Sequence, residues 1–222
     1  INLGNSQVFS VTQTGEISIS LWVKTKDDAG YLYAKGDDTT AKYEHNLELF
    51  ANGTLNSAIY NSGAGVAASV TSTATVDDGN WHHYVYSRDG SASTEYVFVD
   101  GTDDTSNITI IGGTRRAFAE NVWQGSTYDD VHLLAENSGG GNKVGAFVTQ
   151  LFIDHNYYNL STGSVLDKFY DDGAVDMGAD GTSSGLTQPR MFHTGDTGDF
   201  FTKGGNTGAW DYGISTTGSG AD

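Results

Sequence analysis

The chain reads as an all-β protein, an antiparallel β-sandwich or jelly roll carrying one short helix. Apolar and polar residues alternate with period 2 over most of the 222 residues, turns rich in Gly, Asn and Asp interrupt that alternation at short spacing, and helix signals are scarce. This length suits one sandwich whose core folds without staples. Residues 1–222 are therefore read as a single domain. From 189 to 222 the sequence turns aromatic and Gly-rich (Phe192, Phe200, Phe201, Trp210, Tyr212), as an irregular tail packed back on the sandwich would.

The first long strand covers 17–24, with Ile17, Ile19, Leu21 and Val23 on one side and Ser18, Ser20, Trp22 and Lys24 on the other. Residues 31–36 give a second strand, and 43–50, 55–60 and 67–76 continue the rhythm. Residues 81–88 and 95–99 are two β-branched and aromatic runs, each ending at an Asp-Gly turn (Asp89-Gly90 and Asp100-Gly101), and they read as a β-hairpin. Further strands are expected at 108–111, 131–135 and 144–153. Ser161, Thr162 or Ser164 would cap a short helix that points Val165, Leu166, Phe169 and Tyr170 to one side, stops at Gly173 and plugs one sheet edge. Gly112-Gly113, Gly139-Gly140-Gly141 and Gly204-Gly205 read as loops, with 139–143 the mobile tip; none has the strand-to-helix setting of a phosphate loop.

Zero cysteines exclude disulfides and thiolate metal sites. No apolar run approaches the roughly 20 residues of a membrane helix, and no charged-then-apolar leader opens the chain. It begins at Ile1, as a processed product or a module of a longer protein would. A net charge of −17, from 11 Lys+Arg against 28 Asp+Glu, argues against nucleic acid and anionic membranes. Paired aspartates such as Asp37-Asp38 and Asp103-Asp104 mark solvated turns on the plainer reading. The functional alternative is Ca²⁺, which prefers several carboxylate and carbonyl oxygens on a flexible loop.

Three patterns could carry chemistry. In Glu44-His45-Asn46-Leu47-Glu48, period 2 puts Glu44, Asn46 and Glu48 on one strand face. Retaining sugar hydrolysis needs carboxyl groups about 5 to 5.5 Å apart, whereas these Cα atoms would be roughly 13 Å apart, so a polar or ligand-binding face is favoured over a catalytic one. His82 and His83 are adjacent, point to opposite faces and cannot share one metal; no Gly-x-Ser-x-Gly elbow supports a hydrolase triad. Tyr84, Tyr86 and Arg88 share one face of their strand, and Tyr96 and Phe98 are candidates for the same face of the partner. That mixture suits a shallow glycan site, or else the rings lie between the two sheets. The sequons at Asn52, Asn107 and Asn159 are expected by chance in a chain of this composition.

The stretch Asp78-Gly79-Asn80-Trp81-His82-His83, followed by Tyr96-Val97-Phe98-Val99-Asp100-Gly101, resembles the laminin-G-like branch of the concanavalin A-like lectin/glucanase superfamily, and 17–24 and 31–36 resemble its first core strands. In the second half, 147–154, Phe169-Tyr170, 172–181 and Asp199-Phe200 are similar to laminin-G-like proteins of phage and prophage structural genes. Ala174-Val175 and the late Asn206 depart from that group's pattern. The resemblance implies a concanavalin A-like jelly roll and a non-catalytic module of a virion (decoration, fibre or tail-associated) or extracellular surface, serving adhesion or glycan binding. Its partners would be a host or surface glycan or neighbouring virion proteins, and a homo-oligomer is compatible with it. The alternatives are a structural assembly domain without ligand, and a glycoside hydrolase or lyase using Glu44 and Glu48. The resemblance also implies calcium at the sheet rim, with Asp37, Asp38, Asp100 and Asp103 as candidate ligands, while the residue pattern itself offers Tyr84, Tyr86, Arg88, Tyr96, Glu44, Asn46 and Glu48 as candidates for a sugar site.

Overall fold

A computed structural model describes residues 2–5, 15–26, 29–37, 42–60, 66–92, 94–105, 108–110, 130–134 and 143–194. In chain order the strands are β1 (Asn2–Asn5), β2 (Glu16–Thr25), β3 (Gly30–Asp37), β4 (Lys42–Leu49), β5 (Thr54–Tyr60), β6 (Val66–Thr75), β7 (Trp81–Asp89), β8 (Thr94–Val99), β9 (Thr102–Asp103), β10 (Ile108–Ile110), β11 (Asp130–Leu133), β12 (Ala146–Asp154) and β13 (Met191–His193). One helical turn, α1 (Gly163–Leu166), stands between β12 and β13.

The strands form two antiparallel sheets, a seven-stranded one in the order β1-β11-β3-β4-β5-β6-β10 and a six-stranded one in the order β13-β12-β2-β7-β8-β9. Their inner faces make the core. Ile17, Ile19, Leu21 and Val23 of β2, with Tyr84, Tyr86, Val97 and Val99 of the hairpin, pack in one buried cluster with Leu47, Leu49, Leu55 and Val70 of the facing sheet. Each such side chain removed from water contributes about 1.5–3 kcal/mol before chain entropy is counted. A hydrogen bond of 2.8 Å between Ser57 Oγ and the Tyr84 hydroxyl crosses the core. At the rim the Asp104 carboxylate accepts Thr73 N–H and Oγ1–H, each at 2.6 Å, and ties the end of β9 to β6.

The Asp100-Gly101 turn joins β8 to β9 with positive φ at both residues, 49° and 72°, the two-residue geometry whose twist matches that of the strands. A second apolar layer covers the outer face of the six-stranded sheet, where Val85, Phe98 and Phe152 pack with Leu160, Phe169, Met177, Leu186 and Phe192.

Two expectations are corrected here. The expected short helix is present as a single turn, but Thr162 makes no side-chain cap bond, and Val165 and Leu166 within it and Phe169 after it pack on the outer sheet face instead of plugging an edge. The start of the expected irregular tail is ordered as β13, paired with β12. The three glycine clusters and residues beyond 194 lie outside the described residues.

Candidate functional site

Strand register lays out two rows of side chains across the outer face at one end of the six-stranded sheet. Phe147, Lys24 and Trp81 are neighbours across β12, β2 and β7, and one step inward so are Thr149, Trp22 and His83. Adjacent strands are about 4.8 Å apart, so Phe147 and Trp81 stand roughly 10 Å apart with Lys24 between them. Trp81 is 43% exposed and Phe147 71%, the two large hydrophobic side chains left open to solvent among the described residues. Trp22, Trp81, Thr149, Gln150 and Ala174 line a cleft of about 320 Å³, at the small end of the range for ligand sites. A separate cavity of about 20 Å³ beside Leu32, Leu133 and Leu151 has room for no more than a water.

Trp22, which lines the cleft, belongs to an aromatic stack. Tyr170 lies 5.9 Å from Trp22 and 5.5 Å from His83, with both interplanar angles at 27°. Its ring also presses on Gly101, where a Cβ would come within 2.6 Å of Tyr170 Cε1. His83 Nε2 is 2.8 Å from Ser20 Oγ, and burial pushes its pKa down to about 3, so it is neutral. The wall is set by a bulge. Between Thr149 and Phe152 the β12–β2 register shifts, and Gln150 takes a left-handed φ of 49°, a conformation that costs a non-glycine residue about 1–3 kcal/mol. Its Nε2 donates to Val175 O at 2.8 Å, while its Oε1 and the Trp22 Nε1–H are buried without a hydrogen-bond partner among the described residues.

The expected sugar-binding residues lie elsewhere. Tyr84, Tyr86 and Arg88 share a face, but it is the inner one, and their exposures are 0%, 2% and 0%. The hairpin pairs Tyr84 with Val99, Tyr86 with Val97 and Ser87 with Tyr96, so Tyr96 and Phe98 belong to the opposite face. Arg88 pairs across the strands with Glu95, Nε to Oε1 at 3.3 Å, and both are buried. The rings therefore pack between the sheets, and no stacking platform is available there. The cleft draws instead on Trp81, in the alternate phase of the same strand. The signal for it was Trp22, a large aromatic on the polar side of β2.

Among the candidate calcium ligands, Asp100 is committed to histidine, with Oδ2 2.7 Å from His82 Nδ1 and Oδ1 accepting His83 N–H at 2.8 Å. Asp103 Oδ1 accepts Thr105 N–H at 2.9 Å. Asp37 ends β3 in the other sheet, and Asp38 lies outside the described residues. Among the described residues no three His, Asp or Glu side chains converge as a metal site would require.

A family model described as the concanavalin A-like lectin/glucanase superfamily matches residues 2–135. The chain belongs to this superfamily. Among solved structures it is similar to a candidate carbohydrate-binding protein of Bacteroides ovatus ATCC 8483, with 9% identity, a TM-score of 0.53, and 84% of this chain and 46% of that one covered. It is also similar to the CBM40 of the Ruminococcus gnavus IT-sialidase, with 11% identity, a TM-score of 0.51, and 72% and 85% covered; the form bound to alpha2,3 sialyllactose gives 12%, 0.50, 72% and 84%. The chain spans 37% of the mouse laminin alpha1 LG4-5 chain that it also matches, with 16% identity, a TM-score of 0.47 and 66% of this chain covered. No curated protein sequence matches. A superfamily that includes glucanases makes the state of Glu44 and Glu48 matter. Glu44 is the extra residue where the β3–β4 register shifts, is 2% exposed, and lies 3.8 Å from the buried Lys35 Nζ. Asn46 is buried and Glu48 only partly exposed, so the expected open polar face is absent. The same Glu44 charge, after burial, raises the Tyr33 pKa well above its ordinary value.

Proposed function

We propose that this chain is a non-catalytic carbohydrate-binding module and that the Trp22–Trp81 cleft is its sugar site. The observation that carries the reading is the exposed Trp81 indole at the mouth of a cleft walled by Thr149 and Gln150. An indole face stacks on the apolar face of a pyranose, and neighbouring hydroxyl, amide and ammonium groups hydrogen-bond its hydroxyls. The likeness in fold to carbohydrate-binding proteins supports the same reading. Burial of Glu44 beside Lys35 supports binding without cleavage.

The setting we propose is a virion or extracellular surface, supported by the resemblance of the second half to phage structural proteins. Calcium belongs to the same proposal, through candidate aspartates other than Asp100, whose two oxygens His82 and His83 N–H occupy. A second reading, an assembly domain that packs on neighbouring virion subunits, is favoured by Phe147 at 71% exposure.

The test is retention on an array of immobilised oligosaccharides, with calcium and with chelator, reading the same wells for released sugar. Saturable retention that Trp81→Ala weakens by about tenfold or more, and that Glu44→Gln leaves unchanged, is expected. Retention indifferent to Trp81→Ala sinks the cleft as the site, silence on every sugar favours assembly, and sugar release sinks the non-catalytic reading.

A further inference from the structure

We infer that His82 is a positioning residue, a charged clamp that holds Trp81 in place, so that the cleft is formed while its imidazole is protonated and loosens once it is not. The effect on ligand rests on the carbohydrate reading above; the clamp itself does not.

Both ring nitrogens of His82 meet carboxylate oxygens, Nδ1 at 2.7 Å from Asp100 and Nε2 at 3.0 Å from Asp78. An ionised carboxylate only accepts, so both nitrogens must donate, and only the imidazolium carries a proton on each. The two carboxylates are anchored to different parts of the fold. Asp100 accepts His83 N–H, and its own N–H donates to His83 O, which fastens it to β7. Asp78 accepts Asn80 N–H at 2.7 Å and Asn80 Nδ2–H at 2.8 Å, closing the turn that leads directly into Trp81. On its other side that turn is tied to β2 by Gly79 N–H donating to Thr25 O. Without the imidazolium, the tie from the turn to the hairpin is lost and Trp81 is held from one side.

Among the described residues, charged groups flank His82 from several elements. Lys24 of β2 is the cross-strand neighbour of Trp81, and Lys26 just after β2 lays its stem against Gly79. Asp77 and Asp78 belong to the turn, Asp100 to the hairpin, and Tyr170 and Asp172 stand beyond Asp100. Partial burial alone would lower the His82 pKa, but hydrogen bonds to Asp100 and Asp78 and their negative charge outweigh it and raise the pKa above 6.5. Asp78, its pKa pushed down to about 2 first by the Asn80 bonds and then by His82, stays ionised, and His83, its pKa pushed down to about 3 by burial, stays neutral. His82 is thus the group of this cluster whose charge changes at a pH above the ordinary imidazole value. Because its pKa is raised, the ordered turn is present below that pKa and lost as pH rises through it.

The test follows the Trp81 indole N–H, assigned with Trp81→Phe, and the His82 ring carbons by NMR on the intact chain from about pH 5 to about pH 9. One shared midpoint above 6.5 is expected. Asp78→Asn should lower it, and His82→Gln, neutral at every pH, should leave the Trp81 signal flat. A Trp81 signal that ignores the His82 titration, or a His82 midpoint at or below 6.5, overturns the clamp. If His82→Gln does not fold, Asp78→Asn carries the comparison. Retention on the oligosaccharide array is then measured at about pH 6 and about pH 9, with about tenfold tighter binding expected at the lower pH. An array silent at both pH values alongside an intact NMR titration refutes the carbohydrate reading and leaves the clamp. Equal retention at both overturns the clamp's control of the cleft.

Discussion

Trp22 falls on the polar side of an otherwise regular alternation, and a large aromatic among Ser18, Ser20 and Lys24 is the sign of the cleft that the sequence carries. Gln150 carries no such sign. Its role depends on a bulge and a left-handed φ, and neither leaves a trace in a run that reads Phe-Val-Thr-Gln-Leu-Phe. Tyr84 and Tyr86 were legible as sharing a face but not as to which face, because a half-buried hairpin with aromatics on both sides presents the same pattern in either phase. Strain at Gln150 is expected to oppose stability and support binding. Gln150→Gly relieves the positive φ, so it should keep or raise the thermal midpoint, by the equivalent of up to about 1 kcal/mol, while weakening oligosaccharide retention. A lowered midpoint with full retention would show that Gln150 is a packing residue.

At the scale of elements, strand positions were largely readable from period 2, and β2, β7 and β12 lie within two residues of their expected bounds. The short helix was readable as well, but not its length, because part of its apolar spacing falls on residues that follow the turn. Phe169 comes after α1 ends, yet it packs edge-on against Phe152 at 5.3 Å and Tyr158 at 5.4 Å. The residues after α1 stay wound on it, Phe169 N–H and Tyr170 N–H both donating to Leu166 O. Capping and packing are separate contributions here, which predicts unequal costs. Thr162→Ala, which removes no cap bond, should change stability by less than about 0.5 kcal/mol, whereas Phe169→Ala should cost about 3–5 kcal/mol. Denaturant melts of the two variants check this, and a comparable loss in both would mean that the turn itself holds the layer. β13 escaped notice because Met-Phe-His is too short to show alternation, and only pairing with β12 defines it.

Across the whole molecule, two adjacent histidines set opposite limits on stability. Between pH 6.5 and about 3 the unfolded chain takes up a proton at position 83 that the buried ring refuses, so stability falls as pH falls. Asp78, held near 2 against an ordinary 3.8, adds to that loss at the acid end. Above 6.5 the folded chain gives up a His82 proton that it holds more tightly than the unfolded chain does, and stability falls as pH rises. The thermal midpoint should therefore peak near pH 6.5, with His83→Gln flattening the acid side and His82→Gln the alkaline side; a midpoint unchanged across that range would refute both assignments.

The cleft also has a seam. Trp22 and Trp81 come from the part of the chain that the superfamily model matches, and Thr149, Gln150 and Ala174 come from beyond it. One side of the recess is thus built by the shared scaffold and the other by a separate stretch of chain. Exchange of residues 146–175 between relatives would recast what the recess accepts while leaving the indole platform intact, which makes that stretch the natural unit for grafting a new preference onto an old frame.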